Sequence, residues 1–184
     1  MLISAQRSLL LIVDVQQKLA PAMASLDRLL ANLTILLRAA HPLGVPVLAS
    51  EQYPRGLGPT LPEVAALLAP PDGAPEVFEK SHFSCAAEPG VAERLALTGR
   101  DQIVIAGIEA HVCVLQTALE LRAAAWSVFV VADACSSRAP ASAEQAMDRM
   151  RQHGVTVVNT EMVLFEWLHR AGTPAFKTLS SLVR

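Results

Sequence analysis

The segment I-V-I-A-G-I-E-A-H-V-C-V at residues 103–114 joins a β-strand pattern directly to a helix pattern. Its first three residues are branched and apolar, which is typical of a buried strand. Gly107 interrupts the apolar run, and residues 111–125 are rich in Ala, Leu, Glu, Gln and Arg, which favour helices. The segment therefore predicts a strand, a tight turn and a helix in direct succession.

Cys113 lies at the start of this predicted helix. Free backbone N–H groups and the positive end of the helix dipole favour an anion at such a position. We therefore expect the pKa of the Cys113 thiol to be lowered and the thiol to be a good nucleophile. From this feature alone, a small buried hydrophobic side chain is an equally open interpretation.

Composition limits the class of protein. The 184 residues suffice for a single domain, residues 1–184, with a substantial core. A net charge of −2 and 4% aromatic residues argue against a nucleic-acid partner or an anionic membrane surface. The apolar runs are too short for a transmembrane helix, and the start of the chain lacks the features of a signal peptide. Three Cys without metal-ligand spacing favour a reducing, cytoplasmic setting.

Strand and helix patterns alternate along the chain. The apolar run at residues 8–13 predicts a central parallel strand, and leucines on a helical period at residues 25–40 predict an amphipathic helix. Further strands are predicted at 45–49, 77–80, 103–105, 127–132 and 155–158, and further helices at 61–68, 89–97, 111–125, 142–153, 160–169 and 173–183. A Pro/Gly-rich loop is predicted at 51–59. The alternation predicts a three-layer α/β/α sandwich with a mainly parallel sheet of about six strands.

In parallel sheets of this kind, ligands bind at the carboxyl ends of the strands. The polar or reactive residues predicted there are Asp14, Glu51, Lys80, Cys113 and Asp133. Three of them form a plausible triad, in which Asp14 takes the proton of the Cys113 thiol and Lys80 holds the carboxylate. The thiol would then attack a carbonyl carbon, and backbone N–H groups at the helix start would hold the oxyanion.

Three motifs together resemble the signatures of the isochorismatase-like cysteine hydrolases. They are D-V-Q at residues 14–16, the strand-terminal Lys80, and G-I-E-A-H-V-C-V at residues 107–114. That superfamily includes nicotinamidases, N-carbamoylsarcosine amidohydrolases and isochorismatases. The chain is most similar to the isochorismatase domain-containing subgroup, through E-Q-Y-P-R-G-L-G-P-T at 51–60, V-A-D-A-C-S-S-R at 131–138 and P-A-F-K at 174–177.

The resemblance implies roles for particular residues. Asp14 would be the general base, Lys80 its partner and Cys113 the nucleophile. A cis peptide between Ile108 and Glu109 would help to aim backbone N–H groups, including that of Cys113, at the oxyanion. Members of the superfamily are usually homo-oligomers, so we expect self-association.

Four further residues are candidates for substrate contact: Gln16, Tyr53, His82 and His111. A loop-structuring role is equally open for Tyr53 and its neighbours Glu51 and Gln52. His111 resembles a papain-type base, but an orienting role is favoured because Asp14 already serves as the base. Cys85 and Cys135 are interpreted as packing residues.

Two departures from the superfamily restrict the chemistry. Metal-binding nicotinamidases carry an Asp-x-His cluster after the second strand, whereas this chain has S-E-Q-Y at residues 50–53. We therefore expect no metal and no cofactor, and nicotinamide is a doubtful substrate. True isochorismatases lack the nucleophilic Cys and cleave a vinyl ether, so Cys113 favours amide chemistry instead.

The sequence thus predicts a metal-independent cysteine hydrolase that cleaves a C–N bond of a small molecule. Two alternatives stay open. One is a vinyl-ether hydrolase of the isochorismatase type, which would not need the thiol. The other is a non-catalytic binding protein that retains the fold.

Overall fold

Six strands form one parallel sheet in the computed structural model, which describes residues 1–71 and 73–183. The strands are β1 (Ser8–Val13), β2 (Val47–Gln52), β3 (Glu76–Lys80), β4 (Gln102–Ile108), β5 (Ser127–Ser136) and β6 (Thr156–Val158). Their spatial order is β3-β2-β1-β4-β5-β6, and each neighbouring pair is parallel. The chain therefore builds outward in both directions from the central pair of β1 and β4, where ligands of such sheets bind.

Helices cover both faces of the sheet. They are α1 (Leu26–Ala40), α2 (Pro54–Leu57), α3 (Pro62–Leu68), α4 (Val91–Leu97), α5 (Leu115–Ala123), α6 (Pro140–Gln152), α7 (Thr160–Leu168) and α8 (Pro174–Leu179). Apolar residues of α1, α3, α7 and α8 pack on one face, and those of α4, α5 and α6 pack on the other. The three-layer sandwich predicted from the sequence is confirmed. Within the described residues, no helix is long and apolar enough to cross a membrane.

Strand β1 supplies apolar side chains to both layers of the core. All six of its residues are buried. Leu10 and Ile12 pack toward α1, whereas Leu9 and Leu11 pack toward α4 and α5. Each such side chain contributes about 1.5–3 kcal/mol on burial. A continuous apolar strand flanked by helices on both sides fixes the direction in which its carboxyl end points.

Three strands extend further at their carboxyl ends than the sequence pattern predicted. Strand β4 continues to Ile108, so Gly107 lies inside the strand rather than in a turn after it. Strand β2 begins at Val47 and continues to Gln52, because its last residues pair with β3 up to the partners Gln52 and Lys80. Strand β5 continues to Ser136, because a register shift between β4 and β5 allows Ile108 to pair with Ser136. The predicted bounds of 45–49, 103–105 and 127–132 are therefore wrong at these ends. Asp133 lies inside β5 rather than at its carboxyl end.

The helix predicted at residues 111–125 begins differently from an ordinary α-helix. Residues Ala110–Val114 form a π-helical turn, and α5 continues from Leu115. The Glu109 carbonyl accepts hydrogen bonds from the N–H groups of Val112 at 3.1 Å and Val114 at 3.3 Å. Such wide turns are frequent at functional sites. Cys113 lies in this turn, just after the carboxyl end of β4.

Candidate active site

Asp14 follows β1 directly, in a left-handed backbone conformation with φ of 52°. Its side chain is fully buried, and the Ser50 hydroxyl donates a 2.7 Å hydrogen bond to Oδ1. The neighbouring strand approaches closely, because a Cβ atom at Gly107 would lie 2.2 Å from the Val13 carbonyl oxygen. Only glycine therefore permits this packing of β4 against the end of β1.

Lys80 ends β3 and extends its fully buried side chain across the end of β2 to the Asp14 carboxylate. The distance from Nζ to Asp14 Oδ2 is 2.8 Å. The ammonium also donates hydrogen bonds to Gln52 Oε1 at 2.6 Å and to the carbonyl oxygens of Phe83 at 3.0 Å and His82 at 3.2 Å. A buried ion pair persists only when the charges have such partners. These oxygens therefore stabilise Lys80 as a cation.

The Cys113 thiol lies close enough to the Asp14 carboxylate for each group to affect the pKa of the other. Cys113 is only 5% exposed. Burial, followed by the negative charge of Asp14, raises the pKa of this thiol, while the Lys80 ammonium opposes the increase. The lowered pKa expected from the helix start is therefore wrong: desolvation and a nearby carboxylate outweigh the helix dipole.

The pKa of Asp14 is also raised, mainly because burial disfavours its charged form. The Lys80 ammonium and the hydrogen bond from Ser50 oppose this increase. Oδ2 has no hydrogen-bond donor of suitable geometry within the described chain, although it lies beside the ammonium. The carboxylate is thus a stronger base than an exposed one, and Oδ2, beside the Lys80 ammonium, is the oxygen that Ser50 leaves unbonded.

The loop after β5 is tied to the turn that contains Cys113. The peptide bond between Ile108 and Glu109 is cis, the geometry that the family resemblance implied. The Glu109 carboxylate accepts hydrogen bonds from the backbone N–H and the Nε of Arg138, both at 3.1 Å. His111 Nδ1 and Ser137 Oγ are 2.9 Å apart. The Ser137 contact holds one edge of the His111 ring to the loop after β5, and the orienting role of His111 stays a prediction.

Gln16 occupies a different position from the one expected of a substrate-binding residue. It is fully buried, and its amide group donates to the carbonyl oxygens of Gln52 at 3.0 Å and Gly58 at 2.7 Å. Its own oxygen accepts the Gln52 N–H at 2.8 Å. The prediction of substrate contact is corrected accordingly, since the amide of Gln16 is used to hold the loop after β2.

Tyr53 and His82 lie on the two loops that surround Lys80, with exposed side chains. The Tyr53 N–H donates to the Lys80 carbonyl at 2.9 Å. His82 Nδ1 lies 2.9 Å from Glu88 Oε2, and this hydrogen bond is the main cause that lowers the pKa of Glu88 to about 2. Both residues therefore shape the backbone around Lys80, while their rings remain accessible.

Two of the five strand-end residues have structural roles instead. Glu51 Oε1 accepts hydrogen bonds from the N–H and hydroxyl of Thr60, both at 2.7 Å. Asp133 Oδ1 accepts hydrogen bonds from the N–H and hydroxyl of Thr160, both at 2.9 Å. Carboxylates bonded in this way hold a loop and the start of α7, respectively.

Three further residues belong to the hydrogen-bond network around Asp14 and Lys80: Ser50, which had no predicted role, Gln52, which was predicted only to structure the loop or contact substrate, and Cys85, which was predicted only to pack. Ser50 and Gln52 alternate along β2 and therefore point to the same side of the sheet. The first bonds to Asp14 and the second to Lys80. The Cys85 thiol in turn donates to Ser50 Oγ at 3.5 Å. The sequence did contain a signal for Ser50 and Gln52, because two polar residues two positions apart follow a buried strand. The predicted strand ended at residue 49 and therefore left both residues out.

Metal binding requires several suitable side chains at one point. Within residues 1–71 and 73–183, no three His, Cys, Asp or Glu side chains form a group that could hold a metal ion. Ser50 and Gln52, in the segment where the metal-binding relatives would carry Asp-x-His, bond to Asp14 and Lys80 as described above.

The fold and the arrangement at the carboxyl ends of β1, β3 and β4 define an isochorismatase-like α/β hydrolase. Residues 8–162 match the Isochorismatase domain family, and the chain belongs to that family. The family resemblance found in the sequence is therefore confirmed. Membership in this family supports a hydrolase.

Known relatives extend over nearly the whole chain. Isochorismatase domain-containing protein 2 of Danio rerio is 35% identical over 181 residues, which cover 98% of this chain and 89% of that protein. Isochorismatase domain-containing protein 1 of Salmo salar is 36% identical over 171 residues, and the match spans 93% of this chain but 59% of that longer protein. The structure of the MAR1 ribonuclease from Caenorhabditis elegans is similar with a TM-score of 0.89 and 31% identity, covering 100% of this chain and 92% of that chain.

Proposed function

We propose that this protein is a cysteine hydrolase that cleaves the C–N bond of a small amide through a thioester on Cys113. The observation that carries the proposal is the buried Asp14 carboxylate, which faces the Cys113 thiol and the Lys80 ammonium together. Nucleophilic catalysis by a thiol needs an adjacent base, and this base in turn needs a partner that holds it in place.

In the proposed first step, the Cys113 sulfur attacks the carbonyl carbon while Asp14 accepts the thiol proton. Because burial raises the pKa of the thiol, the resting group is protonated and the proton moves during the attack. The C–N bond of the tetrahedral intermediate then breaks, and the leaving nitrogen takes the proton from Asp14. Ammonia or an amine departs, and the acyl group remains on sulfur as a thioester.

In the second step, Asp14 removes a proton from water as the water oxygen attacks the thioester carbonyl. The C–S bond breaks, the carboxylic acid leaves, and the proton returns from Asp14 to the Cys113 sulfur. Lys80 stays protonated throughout and keeps the carboxylate oriented. Backbone N–H groups around Glu109 and Cys113 hold the oxyanion in both steps.

The accessibility of the site favours a small substrate. Cys113 is 5% exposed, so the reacting carbonyl has to enter a narrow opening. Exposed side chains on the loops around Lys80, among them Tyr53 and His82, are the proposed contacts for the rest of the substrate. His111, held by Ser137, would contribute its other ring nitrogen. The reaction as written uses no metal or cofactor.

A polymeric substrate is the rival that the Caenorhabditis elegans relative raises, because that protein is named a ribonuclease. A net charge of −2 offers little attraction to an RNA backbone. The enclosed thiol, rather than an exposed basic surface, favours the amidase. Cleavage of RNA is nevertheless a measurable alternative outcome.

The test is a screen of small primary and secondary amides with the wild type and with Cys113→Ser, alongside isochorismate and single-stranded RNA. We expect ammonia or amine release from at least one amide class, and a thioester of the acyl group on the Cys113 peptide by mass spectrometry. Turnover of isochorismate that survives Cys113→Ser would support a vinyl-ether hydrolase. Cleavage of RNA alone would support a nuclease, and no turnover with no adduct would support a binding protein.

The predicted homo-oligomer and the cytoplasmic location also stay predictions. Light scattering coupled to gel filtration tests the first, since self-association would give a mass that is a multiple of 19.6 kDa. The location is tested by fractionation of cells that produce the protein.

A further inference from the structure

The two carboxylate oxygens of Asp14 have different surroundings. Oδ1 accepts the buried 2.7 Å hydrogen bond from the Ser50 hydroxyl. Oδ2 lies 2.8 Å from Lys80 Nζ and has no donor of suitable hydrogen-bond geometry among the described residues. A carboxylate that bonds through one oxygen cannot rotate freely. The contact with Ser50 therefore decides which oxygen remains available as an acceptor.

The direction of the Ser50 hydroxyl is itself determined by a neighbour. Ser50 has one proton to donate, and the Cys85 thiol donates to its oxygen at 3.5 Å. The Ser50 proton is thereby directed to Asp14. The backbone N–H of Cys85 donates to the Thr117 hydroxyl of α5 at 2.9 Å, which fixes the thiol in this buried place. Burial, followed by the charge of Asp14, raises the pKa of Cys85, so it remains a protonated donor.

We propose that Ser50 is a positioning residue for Asp14, and that Cys85 orients the Ser50 hydroxyl. The chain of hydrogen bonds runs from the Cys85 thiol through Ser50 Oγ to Asp14 Oδ1. Oδ2, which pairs with the Lys80 ammonium, is then the oxygen that accepts the Cys113 proton in the proposed reaction. This inference rests on the proposed function, in which Asp14 is the base for Cys113. It assigns a role in the reaction to two buried residues that the family motifs do not include.

The hydrogen bond from Ser50 also affects the basicity of Asp14. The titratable groups that face this carboxylate are Lys80 from β3, Cys113 from the π-helical turn and Cys85 from the loop after β3. Ser50 donates to the charged form and so lowers the pKa of Asp14, against the effect of burial. Removing the Ser50 hydroxyl should therefore raise the pKa of Asp14. Asp14 would then act as a base only at higher pH.

The test is the rate of Cys113 alkylation by iodoacetamide as a function of pH, resolved by peptide mass spectrometry. In the wild type, the rate should rise with the ionisation of Asp14 and then reach a plateau. The rising part of this pH profile is called the acid limb. Ser50→Ala should move the acid limb to higher pH by about one unit. A purely structural Ser50 would change the rate or the thermal stability without moving the limb, and that result would overturn the proposal.

Variants that keep a donor provide the matched comparison. Cys85→Ser retains a group that can donate to Ser50, so its limb should coincide with that of the wild type. Cys85→Ala removes the donor, and its limb should move in the same direction as that of Ser50→Ala by a smaller amount. If Ser50→Ala does not fold, Ser50→Cys replaces it in the test. Its thiol is a weaker donor than the hydroxyl, so the acid limb should again move to higher pH. An acid limb at the wild-type pH would contradict the proposal.

Asp14→Asn separates this inference from the proposed function. In that variant the acid limb and plateau should disappear, and the rate should rise with ionisation of the thiol alone. A limb that persists in Asp14→Asn would show that Asp14 is not the base, and the proposed function would fail. A limb that disappears in Asp14→Asn but does not move in Ser50→Ala would refute only the role of Ser50.

Discussion

Asp14 and Asp133 look alike in the sequence but have opposite surroundings in the structure. Each follows a continuous apolar run, S-L-L-L-I-V and S-V-F-V-V-A, respectively. Asp133 is bonded to the N–H and hydroxyl of Thr160 and stabilises the start of α7. Asp14 is fully buried and faces an ammonium, a hydroxyl and a thiol from three other segments. A carboxylate bonded to backbone donors is structural, whereas one surrounded by titratable side chains can transfer a proton.

The largest effect should come from removing the proposed base, Asp14. Asp14→Asn should reduce hydrolysis of the best amide from the screen by about 100- to 10,000-fold, because an amide side chain cannot accept the thiol proton or return it to the leaving nitrogen. The measurement is ammonia or amine release under saturating conditions. Asp133→Asn is the matched control and should retain the wild-type rate; an equal loss in both variants would erase the distinction between the two residues.

Removal of the cation should affect stability more than any surface change. Lys80→Met leaves Asp14 without its ion-pair partner and leaves the acceptor groups around Nζ unpaired, so the free energy of unfolding should fall by about 3–5 kcal/mol. Urea denaturation followed by circular dichroism measures this. The exposed Lys177 provides the control, since Lys177→Met should change stability by less than about 0.5 kcal/mol. Equal losses in the free energy of unfolding for the two variants would show that the buried ion pair contributes no more to stability than an exposed lysine.

The charge state of Cys113 tests the electrostatic effect that Asp14 has and Asp133 lacks. Burial and the charge of Asp14 raise the pKa of the thiol, so the ultraviolet absorbance of thiolate should be absent near neutral pH. Removing the negative charge in Asp14→Asn should lower the pKa of the thiol, and the absorbance should appear at lower pH than in the wild type. Subtracting the spectrum of Cys113→Ser isolates the signal. A thiolate in the wild type at neutral pH would contradict the electrostatic account.

The smallest effect should come from the structural carboxylate. Asp133→Ala removes the acceptor for Thr160 at the start of α7 and should cost about 1 kcal/mol. For a chain of this size, this corresponds to a decrease in the melting temperature of about 2–4 °C. Thermal unfolding measures the loss, and the amide hydrolysis rate should stay unchanged. A large loss of activity would show that Asp133 influences the site through β5.

The fold was largely predictable from the sequence, whereas the ends of its elements were not. The buried run of β1 and the leucine spacing of α1 each occur where they were predicted, within one residue. The bounds of β2, β4 and β5 were predicted short, because strand ends depend on pairing with partners distant in the chain. Local composition contains no information about the register of such pairs.

The candidate site was predictable only in part, for a related reason. The motifs around Asp14, Lys80 and Cys113 singled out three residues that the structure brings together. Gln16 was misassigned because its amide is used by the loop backbone, and Ser50 and Cys85 were missed because neither has a distinctive local pattern. Their importance arises from contacts between separate strands and loops.

The sequence by itself determined the alternation of strands and helices and the family, and it singled out the carboxylate, amine and thiol of Asp14, Lys80 and Cys113 that lie together in the structure. Apolar periodicity and short motifs are local properties, so they can be recognised without coordinates. Only the tertiary structure decided the protonation of Cys113 and the direction of Asp14. A pKa depends on burial and on charges brought from other segments, and here those two effects reversed the expectation drawn from the helix start alone.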